Sequence, residues 1–149
     1  MASTNPAPPA NPAPEVSSTG GSLRLWGVLL LVLFLVTSTV GGSLALESSY
    51  LFVTLASHIG LALVTLGVSV YAVAFVGRAY RAVPQGFAGL AALSALGATI
   101  AGTVFLVGGQ SNGALYAMEG LAGIGILASL VVIVVGGASG KIAPPKAGA

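Results

Sequence analysis

Three side chains of this sequence can carry chemistry within an otherwise apolar chain: His58, Met118 and Glu119. Imidazole is the usual axial ligand of haem iron, and a methionine thioether can supply the second axial ligand. A histidine and a glutamate at similar depth in a membrane can instead exchange protons with each other or with a quinone. A third alternative is a structural polar contact that joins two helices. The residue types leave all three alternatives open.

The composition indicates that these residues belong to an integral membrane protein. The chain has 149 residues, of which 56% are hydrophobic and 5% are charged, against about 25% charged residues in soluble domains. So few charges cannot cover the surface of a soluble domain, which excludes water-soluble enzymes and nucleic-acid-binding proteins as leading classes. The absence of cysteine and the single histidine exclude disulfides, Fe–S clusters and multi-histidine metal sites within the chain.

Long uncharged segments predict four transmembrane helices, because a helix needs about 20 apolar residues to cross a bilayer. The predicted spans cover residues 23–45, 50–77, 84–108 and 114–135. Together they form a transmembrane domain over 23–137, which follows a Pro/Ala/Ser-rich tail over 1–22 and precedes a short tail over 138–149. Glycine pairs are predicted to end two of the spans: Gly41-Gly42 the first, and Gly108-Gly109 the third.

The predicted fold is all-α, an integral membrane four-helix bundle made of two tandem helical hairpins. Short connections favour antiparallel packing of consecutive helices. All five basic residues fall on one side of the four spans, and Glu47 falls on the other. The positive-inside rule therefore predicts a multi-pass protein of the cell membrane with both termini in the cytoplasm.

His58 belongs to a stripe of small and polar residues that is predicted to face the interior of the bundle. The stripe has helical spacing and consists of Thr54, His58, Ala62, Thr65 and Ser69. From the predicted span boundaries, His58 lies roughly 12 Å and Glu119 roughly 8 Å below the outer surface. Ala122 and Gly123 share the face of Glu119, where small side chains permit close approach of a helix or a flat cofactor.

The layout resembles one four-helix half of a haem A synthase, a membrane protein in which histidines early in helices two and four bind haem from the outer side. Ser57-His58-Ile59-Gly60-Leu61 matches the first histidine position, and Ala117-Met118-Glu119-Gly120-Leu121 falls at the second. The resemblance implies a b-type haem with its iron bound by His58, and with Met118 or Glu119 in place of the second histidine. Because that histidine is absent, the resemblance implies a haem-handling subunit rather than a synthase.

These observations predict a small integral-membrane subunit of a larger complex in respiratory electron transfer, without catalytic activity of its own. The expected partners are other membrane subunits, lipid and a quinone, and no nucleic acid. Haem b at His58 is the expected cofactor. The alternatives are a purely structural subunit and a proton or quinone site that uses His58 and Glu119.

Overall fold

Four helices make up nearly all of the described structure. The computed structural model describes residues 19–46, 52–79, 82–109 and 111–139. Within these ranges the helices are α1 (Thr19–Leu46), α2 (Phe52–Ala79), α3 (Ala82–Val107) and α4 (Asn112–Ser139). Each helix contains a segment long and apolar enough to cross a membrane. The predicted all-α fold is confirmed, and the chain is a multi-pass membrane protein.

The helices form a ring in which each packs against two neighbours. α1 contacts α2 and α4, and α3 contacts the same two helices. Trp26, near the start of α1, packs against two rings near the end of α2, with centroid distances of 5.5 Å to Tyr71 and 5.6 Å to Phe75. Consecutive helices are therefore antiparallel. We call the end at which α1 and α3 finish the distal end, and the opposite end the proximal end.

The two glycine pairs behave differently. α3 ends at Val107, and Gly109 adopts the left-handed conformation (φ 80°) that terminates helices, as predicted. The prediction for Gly41 and Gly42 is wrong, because α1 continues through both residues to Leu46. A glycine inside a helix costs only about 1 kcal/mol relative to alanine, less than leaving backbone groups unpaired in an apolar medium.

α1 also begins earlier than predicted, at Thr19. Residues 19–22, which the sequence places in the N-terminal tail, are therefore helical. α4 likewise extends to Ser139, into the predicted C-terminal tail. The remainder of both tails and Glu47 lie outside the described residues.

Tight packing is concentrated in the proximal half of the bundle. Phe34 of α1 packs against α4 at Gly125, and Gly27 lets the two backbones approach closely. The buried hydrophobic side chains come from the proximal part of each helix: Leu23, Leu30, Phe34, Ala72, Val76, Ala88, Ala91, Ala95, Ala128 and Val132. The small side chains of Ala91 and Ala95 let α3 pack closely inside the bundle. The distal half is more open and contains the candidate site.

Candidate functional site

A cavity of about 280 Å³ in the distal half of the bundle brings the three predicted site residues together. His58 lines it from α2, and Met118 and Glu119 line it from α4. Most of the residues that line the cavity belong to α1 and α4, so we call it the α1–α4 cavity. Its polar lining side chains come from all four helices: Thr37, Ser38, His58, Thr65, Thr99 and Glu119.

The predicted similar depth of His58 and Glu119 follows from their positions in parallel helices. His58 lies six residues after Phe52, the first residue of α2, or about 9 Å along the axis. Glu119 lies seven residues after Asn112, the first residue of α4, or about 10 Å along the axis. Both side chains therefore meet the cavity in one layer of the bundle.

The half-buried imidazole of His58 packs directly against the backbone of α1. A Cβ atom at Gly41 would lie 2.6 Å from Cε1 of His58, and 3.2 and 3.3 Å from Nδ1 and Nε2. Only glycine leaves room for the ring at this position. These contacts fix the ring between α1 and α2, facing the interior as the stripe predicts.

Hydroxyl groups near His58 are mostly paired within the bundle. Thr65 donates to the carbonyl oxygen of Leu61 at 2.8 Å, so the 2.9 Å contact between the Thr37 and Thr65 hydroxyls has Thr37 as its donor. Ser69 donates to the carbonyl oxygen of Thr65 at 2.6 Å. Thr99 donates to the carbonyl oxygen of Ala95 at 2.8 Å. These side chains keep no free proton to offer a ligand.

Two buried polar atoms of the described residues have no hydrogen-bond partner, and both belong to residues that line the α1–α4 cavity. They are Oγ of Ser38 and Nδ1 of His58. In a neutral imidazole one ring nitrogen donates and the other accepts, so Nδ1 can take either role toward a partner. Ser38 and His58 therefore each bring a buried, unpaired polar atom to the lining of the cavity.

Sequence reasoning missed the contribution of α1 to the site. Thr37, Ser38 and Gly41 lie within one helical turn of one another, and all three line the cavity. Their small and polar character in the leucine-rich first span was the available signal. The contribution of α1 was missed because Gly41 was interpreted as a helix end, and a residue at a helix end is not expected on an interior face.

Glu119 and Met118 occupy different parts of the cavity wall. Glu119 is exposed and lies at the mouth, whereas Met118 is half-buried. A Cβ atom at Gly102 of α3 would lie 3.3 Å from the Met118 sulfur. The neighbouring Gly123 faces open space, since a Cβ atom added there would meet no atom within 4 Å. The small-residue face beside Glu119 thus borders the cavity and does not contact another helix at Gly123.

A second cavity of about 160 Å³ lies on the other side of His58. It is bounded mainly by α2 and α3, and we call it the α2–α3 cavity. Its wall is largely apolar and includes Leu55, Ile59, Leu63, Phe105, Leu106 and Leu115. His58 and Met118 line both cavities and form part of the partition between them.

The geometry does not fit a haem at His58. Cε1 of the imidazole faces α1 at Gly41, so there is no room for a macrocycle on this side of the ring. The cavity volume of about 280 Å³ lies at the lower limit for drug-sized ligands, about 300 Å³, and a substituted porphyrin is larger than such ligands.

In comparisons with known proteins, the chain matches no family model, no curated protein and no solved structure at a significant level. The fold and site together define a four-helix membrane protein with a largely apolar cavity in the distal half of its bundle, lined by His58 and Glu119.

Proposed function

We propose that this protein binds a quinone-type ligand, a flat ring bearing hydrogen-bonding oxygens, in the α1–α4 cavity. The observation that carries the proposal is the pair of unpartnered polar atoms, Ser38 Oγ and His58 Nδ1, on residues lining one cavity of an apolar bundle. An unsatisfied buried polar group costs about 1–3 kcal/mol. A ligand that pairs with both atoms recovers this free energy, whereas a purely apolar ligand does not.

The two free atoms complement the two redox forms of a quinone. The Ser38 hydroxyl donates a hydrogen bond to a ring carbonyl oxygen, and Nδ1 of His58 accepts one from a hydroxyl of the reduced ring. Small side chains at Ala95, Ala98 and Gly123 leave flat walls for the ring. The head of the ligand is thus held between α1 and α4.

Glu119 supports a role in proton exchange at the same site. Ionisable groups inside membrane spans are costly and typically mark ion or proton pathways. Glu119 lies within the span of α4 and at the mouth of the cavity that also contains His58. In this proposal, Glu119 exchanges protons between the cavity mouth and the ligand head, while Nδ1 of His58 holds the head in place.

Membership of a larger membrane complex in respiratory electron transfer is part of the same proposal. A quinone needs electron donors and acceptors that the chemistry of this chain does not provide, so they must belong to other proteins. An exposed carboxyl on a membrane span also favours cover by a neighbouring subunit over direct contact with lipid. The protein then acts as a small subunit that supplies the ligand site.

The decisive test is to fill the cavity without disturbing the helices. Gly123 lines the cavity, and Gly123→Leu places a large side chain in its open space. The matched control is Gly120→Leu, on the exposed face of α4. We expect Gly123→Leu to weaken binding of a decyl benzoquinone by at least about tenfold, measured by equilibrium dialysis with protein in lipid nanodiscs. Gly120→Leu should bind like the wild type.

Two further variants separate specific recognition from partition into an apolar space. Ser38→Ala and His58→Phe remove the free polar atoms and keep the lining apolar. Each should weaken binding of the benzoquinone, and Ser38→Ala should leave the helix content and thermal unfolding close to wild type. Equal binding by the wild type, Ser38→Ala, His58→Phe and Gly123→Leu would disprove the proposed site.

A further inference from the structure

We infer that the two cavities form one continuous site for a ligand with a polar head and a long hydrocarbon tail, and that the tail lies between α2 and α3. The inference rests on the proposed function and specifies the ligand class further, as a quinone with an isoprenoid or alkyl chain. It assigns the head to the α1–α4 cavity and the tail to the α2–α3 cavity. His58 and Met118 mark the passage between the two parts.

The shared wall is the first observation. The residues that line both cavities come from all four helices: Gly41, His58, Ala62, Ala98, Thr99 and Met118. Most of these side chains are small, so the partition is thin except at the imidazole and the thioether. The thioether is flexible and polarisable, which suits a side chain that a hydrocarbon chain must pass.

The distribution of polar atoms is the second observation. Ser38 contributes its free hydroxyl to the α1–α4 cavity and does not line the other. In the α2–α3 cavity, the hydroxyl of Thr99 donates to Ala95 at 2.8 Å and that of Thr103 donates to Thr99 at 2.9 Å. Both hydroxyl protons are therefore used within α3. The linings of both cavities are mostly apolar, but Ser38 and Glu119 line only the α1–α4 cavity, so we assign the polar head to it and the hydrocarbon chain to the α2–α3 cavity.

The position of Glu119 decides the direction of the tail. A tail that left through the mouth between α1 and α4 would pass the Glu119 carboxyl, which needs polar neighbours or water. The opposite side is lined by Ile59, Leu63 and Leu106, which are exposed apolar side chains at the bundle surface. A chain that leaves there passes from apolar protein directly into lipid.

Photolabelling of the full chain in nanodiscs tests the direction of the tail. The probe is a benzoquinone whose decyl chain carries a diazirine at its far end, and the labelled residues are identified by mass spectrometry. We expect labels on the α2 and α3 residues of the second cavity, among them Leu63 and Leu106. Labels confined to α1 and α4 would overturn the inference.

A pair of neighbouring substitutions provides an independent readout. Leu63→Trp narrows the α2–α3 cavity, while the adjacent Val64→Trp changes an equally exposed side chain that lines neither cavity. Leu63→Trp should weaken binding of the decyl benzoquinone by about tenfold and leave binding of the same ring without a chain unchanged. Val64→Trp should leave both affinities at the wild-type value.

The outcomes distinguish this inference from the proposed function. If the wild type binds neither quinone, the proposed function fails and the inference fails with it. If the wild type binds both quinones and Leu63→Trp binds the decyl compound as tightly as the wild type, the ligand site stands and the assignment of the tail is wrong.

Discussion

At the scale of single residues, the site depends on a glycine that places an imidazole. His58 can lie against α1 because Gly41 has no side chain, and Nδ1 of the ring is buried without a partner. The side chain of any larger residue at position 41 would overlap sterically with the imidazole ring. The geometry of the histidine is thus determined by a neighbouring helix as well as by its own.

Gly41→Ala should destabilise the protein, whereas Gly42→Ala should not. The new Cβ at position 41 would lie 2.6 Å from the His58 ring, while a Cβ at position 42 meets no atom within 4 Å. Overpacking of this kind costs about 1–3 kcal/mol. Reversible unfolding in mixed micelles measures the difference between the two variants. Equal stability would show that the ring does not depend on Gly41.

A second prediction at this scale concerns haem. Because α1 packs against the imidazole at Gly41 and the cavity of about 280 Å³ is too small for a porphyrin, the purified protein should show no b-type absorption band after incubation with haem. His58→Ala should have the same spectrum as the wild type. A band that is present in the wild type and lost in His58→Ala would show that α1 moves away from the ring, and would favour the haem-binding alternative.

At the scale of helices, the hydropathy of the sequence was sufficient to predict four membrane-spanning segments. Charged residues cannot be placed in the apolar interior at low cost, so the intervals between them mark the spans. The inward face of α2 was also predictable, because Thr65 and Ser69 repeat with His58 at helical spacing and are buried. These features depend on local sequence and on the membrane alone.

The remaining features of the site depend on contacts between helices that no local pattern contains. The sequence around Gly41 looks the same whether the glycine ends a helix or makes room for a side chain of a neighbouring helix. Ser38 has no hydrogen-bond partner, whereas Ser69 and Ser129 donate to carbonyl oxygens of their own helices. The role of each residue is therefore decided by the packing of the bundle, and the sequence leaves it open.

Close approach of α1 and α4 at the proximal end leads to the third prediction. A Cβ atom at Gly27 would lie 2.9 Å from the backbone nitrogen of Ile133 and 3.1 Å from the carbonyl oxygen of Ser129. Backbone atoms cannot turn aside as a side chain can, so the helices must separate. Gly27→Ala should lower the unfolding free energy by about 1–3 kcal/mol, measured by unfolding in mixed micelles.

Gly67→Ala is the matched control for this substitution. Gly67 lies in the middle of α2, is exposed, and a Cβ atom added to it would meet no atom within 4 Å. Its replacement should leave stability unchanged or raise it slightly, since alanine has the higher helix propensity. A loss of stability in Gly67→Ala as large as that in Gly27→Ala would attribute the effect to the helix backbone and not to the contact with α4.

At the scale of the whole molecule, the bundle is divided into a packed proximal half and an open distal half. Buried side chains such as Leu30, Ala91 and Val132 fill the first. The second contains both cavities and the ionisable pair of His58 and Glu119. A rigid base can hold the helices together while the distal ends keep a space that a ligand can fill.

The side of the membrane that the distal half faces determines where protons reach Glu119. Arg24 lies at the proximal end of α1, and the positive-inside rule places such residues in the cytoplasm. The chain contains no cysteine, so single cysteines report position without background labelling. Gly21 and Gly113 are exposed positions at the proximal and distal ends, and a Cβ atom added at either would meet no atom within 4 Å.

In intact cells, an impermeant thiol reagent should label Gly113→Cys and should leave Gly21→Cys unlabelled until the membrane is permeabilised. The reason is that an odd number of helices separates the two positions, so they must lie on opposite sides of the membrane. Labelling of both positions from outside would contradict the four-span topology. Labelling of Gly21→Cys alone would reverse the orientation, and the mouth beside Glu119 would then exchange protons with the cytoplasm.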